Sequence, residues 1–248
     1  MRSRTPLLLV LLALVLVLAG FVRPSPNDAN EPLRVLFVGN SLTHTNDLPA
    51  VVAMLARKGG TALEYETIAP GGFSLEDHWN AGNVPAAIAT DKWDAVVMQQ
   101  GPSALPESQV NLREWAERLA DLAREHGTRP ALFTVWPERY RVNALSDVIV
   151  SYKNAARAAR AELYPAGLAW QLAWSRSRSL PLYGPDGFHP SPLGTYLAAL
   201  VVTAGLTGKP LPPAAAFSIN RPGFKLKVTA ARARILRKAA ADARTAAR

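Results

Sequence analysis

The sequence predicts an α/β fold built on a central, parallel, five-stranded sheet. Three observations lead there. From Leu33 onward, short apolar, β-rich runs alternate with longer stretches of helical periodicity, the pattern of a parallel sheet covered on both faces. Asn, Asp, Gly and Pro punctuate the joints between them. A length of 248 residues is enough to bury one full core and suits one α/β domain better than two.

The elements follow in chain order. Leu33–Val38 is the first predicted strand, and residues 48–58 carry the first long helical pattern. Leu63–Ile68 is the second strand; the helical pattern at 74–89 opens on Ser74 with Asp77 three residues on, a capping-box spacing. Ala95–Met98 is the third strand, an uninterrupted apolar run, and 108–127 the helix after it. Ala131–Val135 is the fourth strand, followed by a helix over 143–162, and Leu163–Ala169 has the weakest pattern of the five strands. Ser191 followed by Pro192 is a good N-cap and first-turn pair for a helix over 192–206.

Both ends of the chain read as appendages to a domain spanning residues 33–220. At the start, Arg2 and Arg4 precede an uncharged run from Thr5 to Val22 rich in Leu, Val and Ala. Residues 1–23 are read as a secretory signal or an uncleaved membrane anchor, residues 24–32 as a tether, and the protein as exported to the periplasm or beyond. Residues 221–248 form a basic, Ala/Arg-rich stretch, helical over Val228–Arg248, with Ile235 and Leu236 as its large apolar residues. There is no cysteine, so folding after export involves no disulfide.

Charge distribution decides against a nucleic-acid partner. The net charge is +9, but residues 1–23 hold three Arg and no acid, and residues 221–248 hold nine Lys or Arg against Asp242 alone. The remainder carries 16 basic and 18 acidic side chains, so the domain with the motifs is nearly neutral. The basic tail and the N-terminal run instead suit contact with an anionic membrane or wall surface.

Chemistry is concentrated at one edge of the predicted sheet. Ser41 follows strand one, Gly71-Gly72 follow strand two, Gln99 to Ser103 follow strand three, and Asp186 and His189 follow the last strand. The carboxyl ends of the strands are where an open α/β sheet places its ligand crevice. A serine hydroxyl needs a base to become a nucleophile, and His189 is that base; Asp186, three residues away, orients the imidazole. The oxyanion of acyl transfer needs donors already in place, which the Ser41 and Gly72 N–H groups and a side-chain amide at Gln99 or Gln100 can provide. Asn40, His78, Gln100, Ser103 and Trp136 are the expected cleft lining.

These blocks resemble the SGNH hydrolase superfamily, the GDSL-like esterases and lipases, from about residue 33 to 207. The family's Gly-Asp-Ser-Leu block stands here as Gly39-Asn40-Ser41-Leu42, continued by Thr43; its second-block glycine matches Gly72, and its Asp-x-x-His block matches Asp186 and His189. The resemblance implies a flavodoxin-like three-layer α/β/α sandwich, with Ser41 as nucleophile, His189 as base and Asp186 as its orienter. In place of the usual Gly-x-Asn-Asp third block the chain reads Gln99-Gln100-Gly101-Pro102-Ser103-Ala104, which resembles a branch with a Gln-containing third block and makes Gln99 the first choice for the amide donor.

The expected substrate is a small acyl ester, acetyl above all, on a small molecule or an envelope carbohydrate, with no cofactor and no metal. A metal site lacks a second Asp/His cluster and any Cys, and a phosphate-binding P-loop lacks its Gly-Lys-Ser/Thr. The alternatives are a catalytically silent glycan-binding domain and an acyltransferase that uses the same triad.

Overall fold

The computed structural model describes residues 31–211, 213 and 215–247. The run at 1–23 and nearly all of the 24–32 tether lie outside the described residues.

Among the described residues, five parallel strands form one sheet in the order β2-β1-β3-β4-β5. They are β1 (Leu33–Val38), β2 (Leu63–Ile68), β3 (Ala95–Met98), β4 (Arg129–Phe133) and β5 (Glu162–Tyr164). The first three have the bounds read from the sequence; β4 begins two residues earlier, with Pro130 placed opposite Val96, and β5 is only three residues long. β1 lies between β2 and β3, with Val38 opposite both Ile68 and Met98. All four residues of β3 are buried, which is why it reads as a continuous apolar run.

Helices cover both faces. The helices are α1 (Ser41–His44), α2 (Leu48–Lys58), α3 (Leu75–Ala81), α4 (Asn83–Thr90), α5 (Pro106–Glu125), α6 (Leu145–Ala158), α7 (Ala166–Arg176), α8 (Pro192–Thr207) and α9 (Ala230–Ala246). α3, α4, α5 and α6 pack together as one layer, and α2, α7, α8 and α9 as the other. The chain turns back at β2: β1 to β2 runs one way across the sheet and β2 to β5 the other. Right-handed crossovers therefore put α2 opposite α3 to α6.

Three elements differ from the sequence expectation. Gly82, at φ +78°, splits the helix expected over 74–89 into α3 and α4. The fifth strand was expected to run on to Ala169, but α7 begins at Ala166 and buries Ala166, Ala169, Trp170 and Ala173. Ahead of α9, residues taken as irregular or as part of the basic tail form an antiparallel hairpin, β6 (Phe217–Arg221) and β7 (Phe224–Val228), turned by Pro222-Gly223.

α9 is anchored rather than loosely attached. Leu236 is fully buried, and so are Ala239, Ala240 and Ala243; Asp242 pairs with Arg176 of α7 at 2.5 Å. Among the described residues no helix is long and apolar enough to cross a membrane.

Candidate active site

Ser41 occupies the first position of α1, immediately after β1. Asn40 caps this helix: its Oδ1 accepts the Leu42 N–H at 3.0 Å, and its carbonyl accepts those of Thr43 and His44. The Ser41 N–H is left without an acceptor among the described residues, as expected for a donor in the first turn. It lines a cleft of about 590 Å³ with Asn40, Gly72, Gln100, Ser103, Asn111 and Phe188. Gly72 enters that cleft at φ +79°, a backbone conformation that disfavours any side chain, and its N–H also has no acceptor among the described residues.

Asp186 and His189 sit in one tight turn ahead of α8. Backbone bonds close it: Gly184 N–H donates to the His189 carbonyl at 2.7 Å, and Ser191 N–H to that of Leu182 at 2.8 Å. Within the turn Asp186 Oδ1 accepts the N–H groups of Phe188 and His189, each at 3.0 Å, which leaves Oδ2 to accept from His189 Nδ1 at 2.5 Å. The Phe188 amide first, and then the imidazole, hold the Asp186 carboxyl below the usual carboxylate range. The carboxylate thus selects the tautomer with Nδ1 protonated and Nε2 free to take a proton.

The serine and histidine segments are tied to each other. Asn46, five residues after Ser41 and at φ +59°, donates from Nδ2 to the Pro190 carbonyl at 2.7 Å and to Thr195 Oγ1 at 2.9 Å. Thr45 and Asn46 line the same hollow as Asp186 and His189, while Phe188 stands in the cleft with Ser41. No hydrogen bond joins Ser41 Oγ to His189 in this ligand-free arrangement of the described residues; such contacts commonly tighten only when substrate is bound.

The expected amide donor, Gln99, and two expected lining residues, His78 and Trp136, are placed elsewhere. Gln99 is fully buried, and its amide is spent on the protein. Oε1 accepts from Asn40 N–H at 2.7 Å and Thr43 Oγ1 at 3.0 Å, and Nε2 donates to Asn40 Oδ1 and the Gln100 carbonyl. It therefore braces the segment that bears Ser41 and does not face the cleft. Gly39 permits that close approach, because a Cβ there would lie 2.0 Å from Gln99 Oε1. His78 is buried and donates from Nε2 to the Gly39 carbonyl at 2.7 Å; burial pushes its pKa down, against the pull of that carbonyl, so the ring is neutral. Trp136 is buried, stacked 3.6 Å from Trp170, and its Nε1 donates to the Phe188 carbonyl at 3.1 Å. It supports the histidine turn from behind.

Gln100 and Ser103 do reach the cleft and belong to a polar chain with Asn111. Gln100 Nε2 donates to Ser103 Oγ at 3.0 Å and Asn111 Oδ1 at 3.3 Å, and Asn111 in turn donates to Glu76 at 2.7 Å. Sequence reading passed over Asn111, Phe188, Asn46 and Arg139. Asn111 and Arg139 fall within or next to helical patterns and gave no signal, whereas Phe188 could have been inferred from its place beside His189. Among the described residues no group of three or more His, Cys, Asp or Glu side chains is gathered for a metal ion.

Comparison with solved structures finds many of similar fold. A protein described as an SGNH hydrolase from Slackia heliotrinireducens matches at TM-score 0.61 and 28% identity, over 71% of this chain and 100% of its own. A DUF4886 family protein from Bacteroides uniformis matches at TM-score 0.70 and 20% identity, over 87% of this chain and 95% of its own. A lipase/acylhydrolase from Enterococcus faecalis matches at TM-score 0.59 and 16% identity, over 73% of this chain and 100% of its own. No protein-family model and no curated protein matches the sequence.

Proposed function

We propose that the chain, which shares the fold of SGNH-type ester hydrolases among its structural neighbours, is itself a serine esterase for small acyl esters, acetyl above all. The observation that carries this reading is the Asp186 to His189 contact at 2.5 Å, in a turn strapped to the segment that bears Ser41. Ser41 Oγ attacks the acyl carbon while His189 Nε2 takes its proton. The carbonyl oxygen becomes an oxyanion, met by the unpaired N–H groups of Ser41 and Gly72. As the intermediate collapses, the alcohol leaves with the proton held by His189. Water then attacks the acyl-Ser41 ester and passes its own proton to His189; the acid departs, and Ser41 regains its hydrogen.

The preference for short acyl groups rests on the cleft. Most of the side chains around it are polar by number, Phe73 and Phe188 being the large apolar ones, so an acetylated sugar would find hydrogen-bonding partners beside a largely apolar surface. The run from Thr5 to Val22 supports export, and the basic side chains on α9, with Arg234, Arg237 and Lys238 around one hollow, suit contact with an anionic envelope surface.

The test is hydrolysis of short-chain and long-chain aryl esters by the full chain and by Ser41→Ala. The acetate is expected to turn over faster than long-chain esters, and Ser41→Ala to reduce turnover by at least about 10³. Equal rates for parent and variant would refute the assignment, and faster cleavage of long chains would refute the acyl preference.

A further inference from the structure

A second hollow opens beside the histidine turn. It is a groove of about 650 Å³ between the turn that begins at Arg139, the second half of α7 and the segment 178–183. Arg139 and Tyr183 line both this groove and the hollow around His189, so the two adjoin.

Its chemistry differs from that of the serine cleft. No Asp or Glu lines it, yet two guanidinium groups do. Arg178 is exposed and has no hydrogen-bonding or ion-pair partner among the described residues. Arg139 lies over the Tyr183 ring at 5.3 Å and donates to the Gly184 carbonyl at 3.3 Å, with no carboxylate partner. Asp186 is engaged by His189, while Glu138, the chain neighbour of Arg139, lies 3.6 Å from Arg141 with its Oε2 buried and without a hydrogen bond among the described residues. Trp174 also lines the groove, half buried, its Nε1 spent on the Leu180 carbonyl, so that it offers the groove an apolar ring. An unpaired guanidinium is a planar, two-pronged donor for a carboxylate. An aromatic ring beside it suits the C–H face of a pyranose.

We propose that this groove is a subsite for a carboxylate-bearing sugar residue, next to the residue whose acyl group reaches Ser41. The substrate is then an acylated acidic oligosaccharide rather than a neutral one. This rests on the esterase reading above, and the experiment separates the two. Full-length Ser41→Ala protein, which needs no chemistry to bind, is titrated calorimetrically with a short oligogalacturonate, a neutral xylo-oligosaccharide and an oligomeric glycerol phosphate. The acidic sugar is expected to bind at least about tenfold more tightly than either control, and adding Arg178→Ala to weaken it by about tenfold. Arg178 is exposed and makes no hydrogen bond or ion pair among the described residues, so its loss is expected to leave the fold intact; in the Ser41 parent, Arg178→Ala leaves aryl acetate turnover unchanged. No binding, equal binding of the neutral sugar, tighter binding of the phosphate oligomer or indifference to Arg178→Ala would each overturn the subsite. Failure of the esterase reading would show separately, as an inert parent on aryl acetate.

Discussion

Gln99 acts on Ser41 through the backbone. Two of its four hydrogen bonds hold Asn40, by N–H and by side chain, and Asn40 caps the helix on which Ser41 stands. Truncation would leave the Asn40 N–H buried and unpaired, at a cost of about 1–3 kcal/mol. Gln99→Ala is therefore expected to lower Tm and kcat together, measured by thermal melt and aryl acetate turnover. A loss of kcat at unchanged Tm would instead mark a donor aimed at substrate. The amide's inward turn could not be read from the sequence, because a side chain at a strand end can face the crevice or the core and composition is silent on which. The Asp186 to His189 pair was legible because three residues of separation keep the groups close in almost any turn. Trp136 looked like a wall of the cleft, but its indole N–H reaches the Phe188 carbonyl only from behind.

At the scale of elements, Asn46 joins two segments far apart in sequence. Its backbone sits in the left-handed region, and its amide spans the Pro190 carbonyl and Thr195 Oγ1. Asn46→Gly keeps the backbone geometry accessible and removes the strap alone. It is expected to lower stability by about 1–2 kcal/mol in denaturant unfolding and to reduce kcat more than KM rises, since the histidine turn loses its register with Ser41. Wild-type kinetics in that variant would show the strap to be structural only. β1, β2 and β3 were legible to the residue as compact apolar or alternating runs. α7 was not, because Ala-Gly-Leu-Ala-Trp packs most of its surface and so lacks a clear polar face. The β6–β7 hairpin did carry a signal, strict alternation in Phe-Lys-Leu-Lys-Val after Pro-Gly, that the high charge of the tail obscured.

For the whole molecule, the sheet order places the reversal between β1 and β3, and the serine, glycine and glutamine loops converge at their carboxyl ends. The far side of the molecule is completed by α9 on α7 and α8. Ending the chain at Val228 would bare Leu236's contacts and a row of buried alanines, and is expected to lower Tm by about 10 °C or more. An unchanged Tm would make α9 a dispensable appendage. The histidine turn has a wider consequence. Because Asp186 and His189 ride on one hydrogen-bonded turn of backbone, they stay together when that turn shifts. In the proposed mechanism, motion of the turn would then change the separation between imidazole and serine, dimming Ser41 while leaving His189 primed by its carboxylate.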